Sequence, residues 1–410
     1  FTWLHLTDLH FGVGGQSHLW PNVRQAFFDD LGRLLEARGP CDAVLFTGDL
    51  VQSGQKEEFQ RLEDFVLGPV WEKLGELGSG DAVLLAVPGN HDLLRPDSKK
   101  FPAAVRQLVR QGGYREIFGE FWNDPTCEYR QVIDTAFANY SSWWQKTPFR
   151  SALSVEGGLL PGDFSTTFQL EAGSSEESLG RIGIVGLNTT FLQLTGGDFS
   201  GRLALDARQI HKICGEDVPK WIEQHPISIF LTHQGPEWLL QDCLQTAYPE
   251  INPAGRFAVH LFGHMHENVV RATSLGGGKP LRQWQSCSLF GMEKYGEPPT
   301  IDRRHGYSLG HITLGGETAA IRHWPRRAFR DANGWRFERD SESCLLEEAD
   351  GGTQPDALIP SETGRIRRPG LLVTPTKTSN SSGRETTQSR KTSTTKARDS
   401  HTEEGRSQWL

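Results

Sequence analysis

Five short polar signatures punctuate the chain: Asp8-x-His10, Gly48-Asp49, Gly89-Asn90-His91-Asp92, Thr232-His233 and Gly263-His264-x-His266. Each directly follows an apolar run, so each stands where a strand hands over to a loop. Their side chains offer carboxylate and amide oxygens and imidazole nitrogens, which suit borderline-to-hard divalent cations. The lack of a thiolate argues against a structural zinc or an iron–sulfur cluster. The candidate ligands Asp8, His10, Asp49, Asn90, His233, His264 and His266 are too many for one ion and match two ions sharing a bridging carboxylate. Glycines beside them let the backbone turn tightly enough for the side chains to converge. Asp-x-His alone arises by composition about once in a few hundred residues and carries no weight. Gly-Asn-His-Asp is expected only ~0.001 times in a chain of this length, and here it stands third of five ordered signatures.

The elements that must position these residues are legible in outline. Thr2–Thr7, Ala43–Thr47 and Ala82–Val87 are buried-strand runs, separated by amphipathic stretches at about 21–38 and 57–77. Strand, helix, strand, helix, strand implies a parallel sheet with right-handed crossovers, and ligands of such sheets sit beyond the carboxyl ends of the strands. Residues 93–162 break the pattern with an aromatic-rich segment, read as a helical insertion. Its rings form either the insertion's own core or a surface for stacking a nucleobase. After Gly162 the runs are β-like, at about 166–171, 181–188, 227–233, 257–263, 281–289, 307–314 and 318–324, with helices near 206–214 and 237–244. The expected layout is a main domain over 1–330, an extension over 331–364 and a tail over 365–410. The tail holds ten Lys/Arg against four Asp/Glu among Ser and Thr, and cannot offset its ordering entropy by burial.

With these residues in place, the chain resembles the calcineurin-like metallophosphoesterase superfamily over roughly residues 2–325. That family's signature, D-x-H, G-D, G-N-H-[DE], H and G-H-x-H, is present in every element. The resemblance implies an α/β fold, a four-layer α/β/β/α sandwich of two mixed sheets. It implies one metal on Asp8, His10, Asp49 and His266 and a second on Asp49, Asn90, His233 and His264, with Asp49 bridging. His91 matches the family's catalytic histidine beside the leaving group. The cofactors implied are two divalent cations, Mn²⁺ foremost, with Fe²⁺, Zn²⁺ or Ni²⁺ as alternatives. Departures narrow the branch. The Asp-Arg pair that phosphoprotein phosphatases carry after Gly-Asp is missing, Asp92 stands where they have Glu, and Gln52 replaces the iron-binding Tyr of purple acid phosphatases. What remains resembles bacterial phosphodiesterases and nucleases.

The chemistry implied is hydrolysis of a phosphodiester, of cyclic-nucleotide or nucleic-acid class. Two cations about 3.5–4 Å apart would acidify a bridging water to a hydroxide that attacks phosphorus in line. His91 would then protonate the departing oxygen, a task that contributes about 10²–10⁴-fold. Asp92 is expected to support His91. A phosphomonoesterase of the same fold is one alternative, and a sensor or effector module with a structural metal site is another.

Composition sets the outer limits. The 410 residues carry a formal charge of −8, and with +6 in the tail the remainder holds −14. So acidic a body argues against bulk electrostatic wrapping of nucleic acid. Arg95, Lys99, Lys100, Arg106 and Arg110 follow the Gly-Asn-His-Asp loop and could form a local basic patch. No stretch approaches the ~18 consecutive apolar residues of a membrane helix. Six scattered cysteines read as reduced cytoplasmic thiols, and a start at Phe1 suggests a missing leader or upstream piece.

Overall fold

The computed structural model describes residues 1–13, 16–97, 99–150, 153–169, 180–274, 276–290, 293–295, 300–302, 305–315 and 318–358. The chain opens with β1 (Thr2–Leu6), α1 (Gln16–Arg38), β2 (Ala43–Phe46), α2 (Lys56–Leu62), a π-helical turn over Glu63–Leu67, α3 (Gly68–Glu76) and β3 (Val83–Ala86). Every residue of these three strands is buried, as expected of continuous apolar runs in a sheet covered on both faces. The segment read as an insertion is helical through α4 (Ala103–Val109), α5 (Gly113–Glu116), α6 (Phe118–Asn123), α7 (Glu128–Ala136) and α8 (Ala138–Lys146).

Next come β4 (Val155–Gly157), β5 (Phe164–Gln169), β6 (Arg181–Gly186), α9 (Ala207–Ile213), α10 (Val218–Gln224), β7 (Ile227–Leu231), α11 (Gln241–Gln245) and α12 (Ala247–Ile251). Then follow β8 (Val259–Phe262), β9 (Val269–Thr273), β10 (Leu281–Gln285) and a separate hairpin of β11 (Glu293–Tyr295) and β12 (Thr300–Asp302). The described chain ends in β13 (Gly306–Gly315), β14 (Thr318–Asp331), β15 (Gly334–Arg339) and β16 (Asp356–Leu358).

Two mixed seven-stranded sheets result. The first runs β15-β14-β13-β1-β2-β3, with β16 also paired to β14. Strands β1, β2 and β3 are mutually parallel, and β13 joins β1 antiparallel. The second runs β4-β5-β6-β7-β8-β10-β9, parallel from β6 through β7 and β8 to β10 and antiparallel at both edges. The sheets face each other across one apolar core. Trp3 of β1 stacks on Trp284 of β10 at 6.4 Å, and Phe1 meets Phe168 edge-on at 5.0 Å. Gly310 makes this possible, because a Cβ there would come within 2.1 Å of the Trp3 indole.

Helices cover the outer faces. On α1, Phe27 packs edge-on against Tyr307 at 4.9 Å, and the buried Asp30 accepts from Tyr307 Oη at 2.7 Å and from both Nε and Nη2 of Arg326. On the other side Ser165 Oγ donates to the Ile213 carbonyl, and the Trp221 ring lies where a Gly183 Cβ would be. The architecture is therefore the expected α/β/β/α sandwich.

One expectation needs revision, and one open alternative resolves. The boundary at 330 falls inside β14, and β15 and β16 pair with that strand, so residues 331–358 extend the first sheet. The rings of 93–162 are chiefly core: Phe121 stacks on Phe191 at 5.5 Å, and Trp143 on Phe59 at 5.2 Å. Tyr140, fully buried, donates to the Ala86 carbonyl at 2.8 Å and pins the insertion at the end of β3. Among the described residues there, Phe118 is the one large apolar ring that is exposed, at 38%. The basic tail lies outside the described residues. No helix among the described residues is long and apolar enough to cross a membrane.

Candidate metal centre

All five signatures meet at one end of the two sheets, where β1, β2, β3, β7 and β8 release their chains into loops. The loops are laced to one another by backbone: Asp8 N donates to Gly48 O, His10 N to Asp49 O and Gly263 N to His233 O, each at 2.9–3.0 Å. The turns are tight enough to force unusual dihedrals. Asp8, His10, Asp49, His264 and His266 all have φ between 49° and 75°, and among described non-glycine residues only Glu216 joins them. Backbone strain of this kind persists only where the surroundings over-determine it, and it gathers at functional sites. The adjacent glycines are required by contact as well. A Cβ on Gly89 would lie 2.1 Å from Asp49 Oδ1, and one on Gly263 would lie 1.9 Å from Thr7 Oγ1.

The donors converge in overlapping groups: Asp8, His10 and His266; His10, Asp49 and His91; Asp49, His233 and His264. Asp8 Oδ1 is 3.3 Å from His266 Nε2, and His10 Nε2 is 3.2 Å from His266 Nε2 and 3.7 Å from Asp49 Oδ2. On the other side Asp49 Oδ2 is 3.4 Å from His233 Nε2. That nitrogen lies 3.1 Å from Asn90 Oδ1 and 3.2 Å from His264 Nδ1. Asp49 thus stands between the two halves.

Each side chain is held from behind. Asp8 Oδ2 accepts from Thr7 Oγ1 at 2.6 Å and His264 N at 2.9 Å. His233 Nδ1 donates to the Thr47 carbonyl at 2.7 Å, which leaves the Nε2 lone pair facing the cluster. The Trp238 ring sits edge-on against His264 at 4.2 Å.

Electrostatics and hydrogen bonding both fit a cation. Asp8 Oδ1 is buried with no hydrogen-bond donor, an anionic oxygen aimed into the cluster. Burial disfavours the Asp8 and Asp49 carboxylates. The surrounding histidines outweigh that and hold both acids below the usual carboxylate range, His266 chiefly for Asp8 and His233 for Asp49. Burial also drives His10 down to about 4 and His264 to about 3, so both are neutral imidazoles with a lone pair to give. For His233 burial acts in the same direction, but Asp49 and then Asp8 overcome it and raise the ring to about 9. A positive centre is therefore favoured between the carboxylates, and a divalent cation competes for the place the His233 proton would take.

His91 occupies a different position. Its backbone N–H donates to Asp49 Oδ1 at 2.7 Å, its Nδ1 donates to the Gln52 carbonyl at 2.9 Å, and its ring is edge-on to His10 at 4.6 Å. Asp92 does not orient it. That buried carboxylate accepts from Val51 N at 3.0 Å and Gly89 N at 2.8 Å, bracing the loops after β2 and β3 instead. The Gln52 carbonyl is the support that residue-type reasoning missed, since a main-chain acceptor leaves no trace in side-chain identity. His91 opens onto a cleft of about 350 Å³ lined by Gln52, Ser53, Gln55, Leu93, Leu94 and Arg95. Of the other basic residues after the loop, Arg110 pairs with Glu116, and Arg106 donates to the Phe101 carbonyl.

A family model for calcineurin-like phosphoesterases matches residues 1–268, which hold all five signatures. The chain belongs to the calcineurin-like phosphoesterase family. Members of this family are phosphoesterases that use divalent metal ions. A cAMP/cGMP dual specificity phosphodiesterase of Mycobacterium tuberculosis is 36% identical over 102 residues, which is 24% of this chain and 29% of that protein's length. The match thus spans less than a third of that relative. Two solved structures match over most of the chain at low TM-scores. A calcineurin-like phosphoesterase from Bacillus subtilis is 11% identical, with 86% of this chain and 94% of that one covered at a TM-score of 0.37. A dimetal phosphatase from Danio rerio is 10% identical, with 78% and 95% covered at 0.35.

Proposed function

We propose that this calcineurin-like phosphoesterase is a binuclear, metal-dependent phosphodiesterase. Asp8, His10, Asp49 and His266 hold one divalent cation, and Asp49, Asn90, His233 and His264 hold the other. The observation that carries this reading is the placement of Asp49 between two donor groups, opposite an orphaned carboxylate oxygen on Asp8. When bound, such a cation pair supplies Lewis-acid charge to the phosphoryl group and a nucleophile at neutral pH. Oxygen and imidazole donors without sulfur suit Mn²⁺, with Fe²⁺, Zn²⁺ and Ni²⁺ also compatible.

The chain's own residues do the rest. His91, fixed through Nδ1 by the Gln52 carbonyl, presents Nε2 to the cleft and gives a proton to the departing oxygen. The rigid loops hold this nitrogen and the ligand atoms in fixed relation, so little reorganisation is needed as charge develops. A cleft on the His91 side gives the leaving group a volume of its own. The phosphodiesterase named among the relatives supports a diester as substrate. Six buried thiols, none in a disulfide, support a reducing, cytoplasmic setting.

The test is hydrolysis of bis-p-nitrophenyl phosphate and p-nitrophenyl phosphate by protein stripped with chelator and reloaded with Mn²⁺. The reading expects restored activity with the diester preferred. A preference for the monoester, or equal activity before and after reloading, would overturn it.

A further inference from the structure

The cleft beside His91 has an uneven charge for a protein so acidic. Its lining of Gln52, Ser53, Gln55, His91, Leu93, Leu94 and Arg95 contains no carboxylate, although the whole chain carries a formal −8. Arg95 is its one fixed cation. The side chain is exposed, and among the described residues no Asp or Glu lies within ion-pair distance of it.

Arg95 is also placed rather than free. Its Nη2 donates to the main-chain carbonyl of Asn90 at 3.4 Å, beside a metal-ligand candidate, and its Nη1 lies 3.7 Å from where a Gly196 Cβ would be. The guanidinium is thus set between the Gly-Asn-His-Asp loop and the segment around Gly196. That single long hydrogen bond leaves most of its five N–H groups unused. An unused guanidinium fork suits a phosphate or carboxylate, which it can grip through two parallel hydrogen bonds.

The polar groups near it are otherwise engaged. Ser53 donates through both N and Oγ to Glu58, and Gln55 N donates to the same carboxylate. The Leu93 and Leu94 side of the cleft offers apolar contact instead.

We infer that Arg95 is a specificity-determining residue that binds a second anionic group, a phosphate, carried by the leaving group of the substrate. This rests on the phosphodiesterase reading and deepens it. The proton donor and the cation share one cleft, so the fragment that receives the His91 proton is the fragment that Arg95 holds. A linear diester with a phosphate on its departing half fills that cleft. A cyclic mononucleotide, with one phosphate and that one at the metals, leaves Arg95 without a partner.

The experiment compares a dinucleotide bearing terminal phosphates at both ends with the same dinucleotide lacking them, in wild type, Arg95→Ala and Arg95→Lys. Affinity is read by calorimetry without added metal, and kcat/KM with Mn²⁺. Wild type is expected to favour the phosphorylated dinucleotide at least about tenfold in both. Arg95→Ala should bring that ratio near one, and Arg95→Lys should keep part of it because the charge remains without the fork. No preference in wild type, or a preference that survives in Arg95→Ala, overturns the assignment. A preference in binding without hydrolysis of either dinucleotide or of bis-p-nitrophenyl phosphate leaves the Arg95 site standing and removes the phosphodiesterase reading. Hydrolysis of both without preference does the reverse.

Discussion

At the scale of single residues, the site separates atoms that would hold metal from the one that would move a proton. His91 is tied to the cluster by its backbone N–H, lies edge-on to His10 and lines the cleft, with Nδ1 held by the Gln52 carbonyl. His91→Ala is therefore expected to retain its metal by elemental analysis while turnover falls at least about a hundredfold; turnover equal to wild type would remove the proton-donor role. Asp49 is the opposite case. Its Oδ2 lies 3.7 Å from His10 Nε2 and 3.4 Å from His233 Nε2, so its loss opens both halves at once. Asp49→Ala should fall well below wild-type metal content after Mn²⁺ loading and dialysis, and retention of the full complement would refute the bridging position.

The fold brings together the eight candidate residues, which were legible in sequence as donor side chains at strand ends. What supports them was not. The Thr47 and Gln52 carbonyls that orient His233 and His91 are main-chain atoms, available from any residue type. Asp92 was expected to serve His91 from its adjacency, yet the turn after β3 points its carboxylate at two backbone N–H groups.

At the scale of elements, the strand-end loops are the working parts, and their glycines set how close they approach. Gly89 is the sharpest instance, with Asp49 Oδ1 at 2.1 Å and Asp49 N at 2.2 Å from the position of an added Cβ. Asp49 backbone and its carboxylate, held by the His91 N–H, fill that space, so neither can yield cheaply. Gly89→Ala should lower both the thermal unfolding midpoint and the metal content, each measured against wild type under the same loading. A variant with normal stability and full metal would show that the two loops are not held in contact.

The parallel strands and their helices were legible because continuous apolar runs alternating with amphipathic stretches have few other solutions. Two antiparallel edge strands were not. In β9, Val269–Thr273 is only partly buried or exposed throughout, so no apolar run marks it. In β15 the sequence Gly-Trp-Arg-Phe-Glu-Arg shows mostly charge, and only Phe337 is buried. Both strands form because a neighbouring strand offers a ladder of hydrogen bonds, information carried by the partner rather than by the segment.

At the scale of the whole molecule, stability is tied to pH through histidines buried in the sandwich. His323 of β14 is 1% exposed, lies against Trp284 at 4.5 Å and has no partner on either ring nitrogen. Burial, with a lesser contribution from His5, lowers it to about 3. His260 of β8 is lowered to about 3 by burial alone. For such a group the unfolded chain binds the proton first, so the folded state binds fewer protons between the two values. Stability is then fully present above the ordinary histidine value of 6.5 and is lost as pH falls from there towards 3. Each group can contribute on the order of a few kcal/mol over that window. The urea midpoint should therefore drop on acidification below 6.5, and His323→Phe should show a shallower drop; identical slopes would contradict the assignment.

Net charge acts at this scale as well. A body this acidic disfavours long polyanions, so on the proposed reading substrate would be held by the metal cations and by Arg95. The central claim is the pair of cations about Asp49, and it is open to direct view. Anomalous diffraction from crystals soaked in Mn²⁺ should show two peaks about 3.5–4 Å apart, one on each side of the Asp49 carboxylate. A single peak there, or manganese bound only elsewhere, would contradict the account.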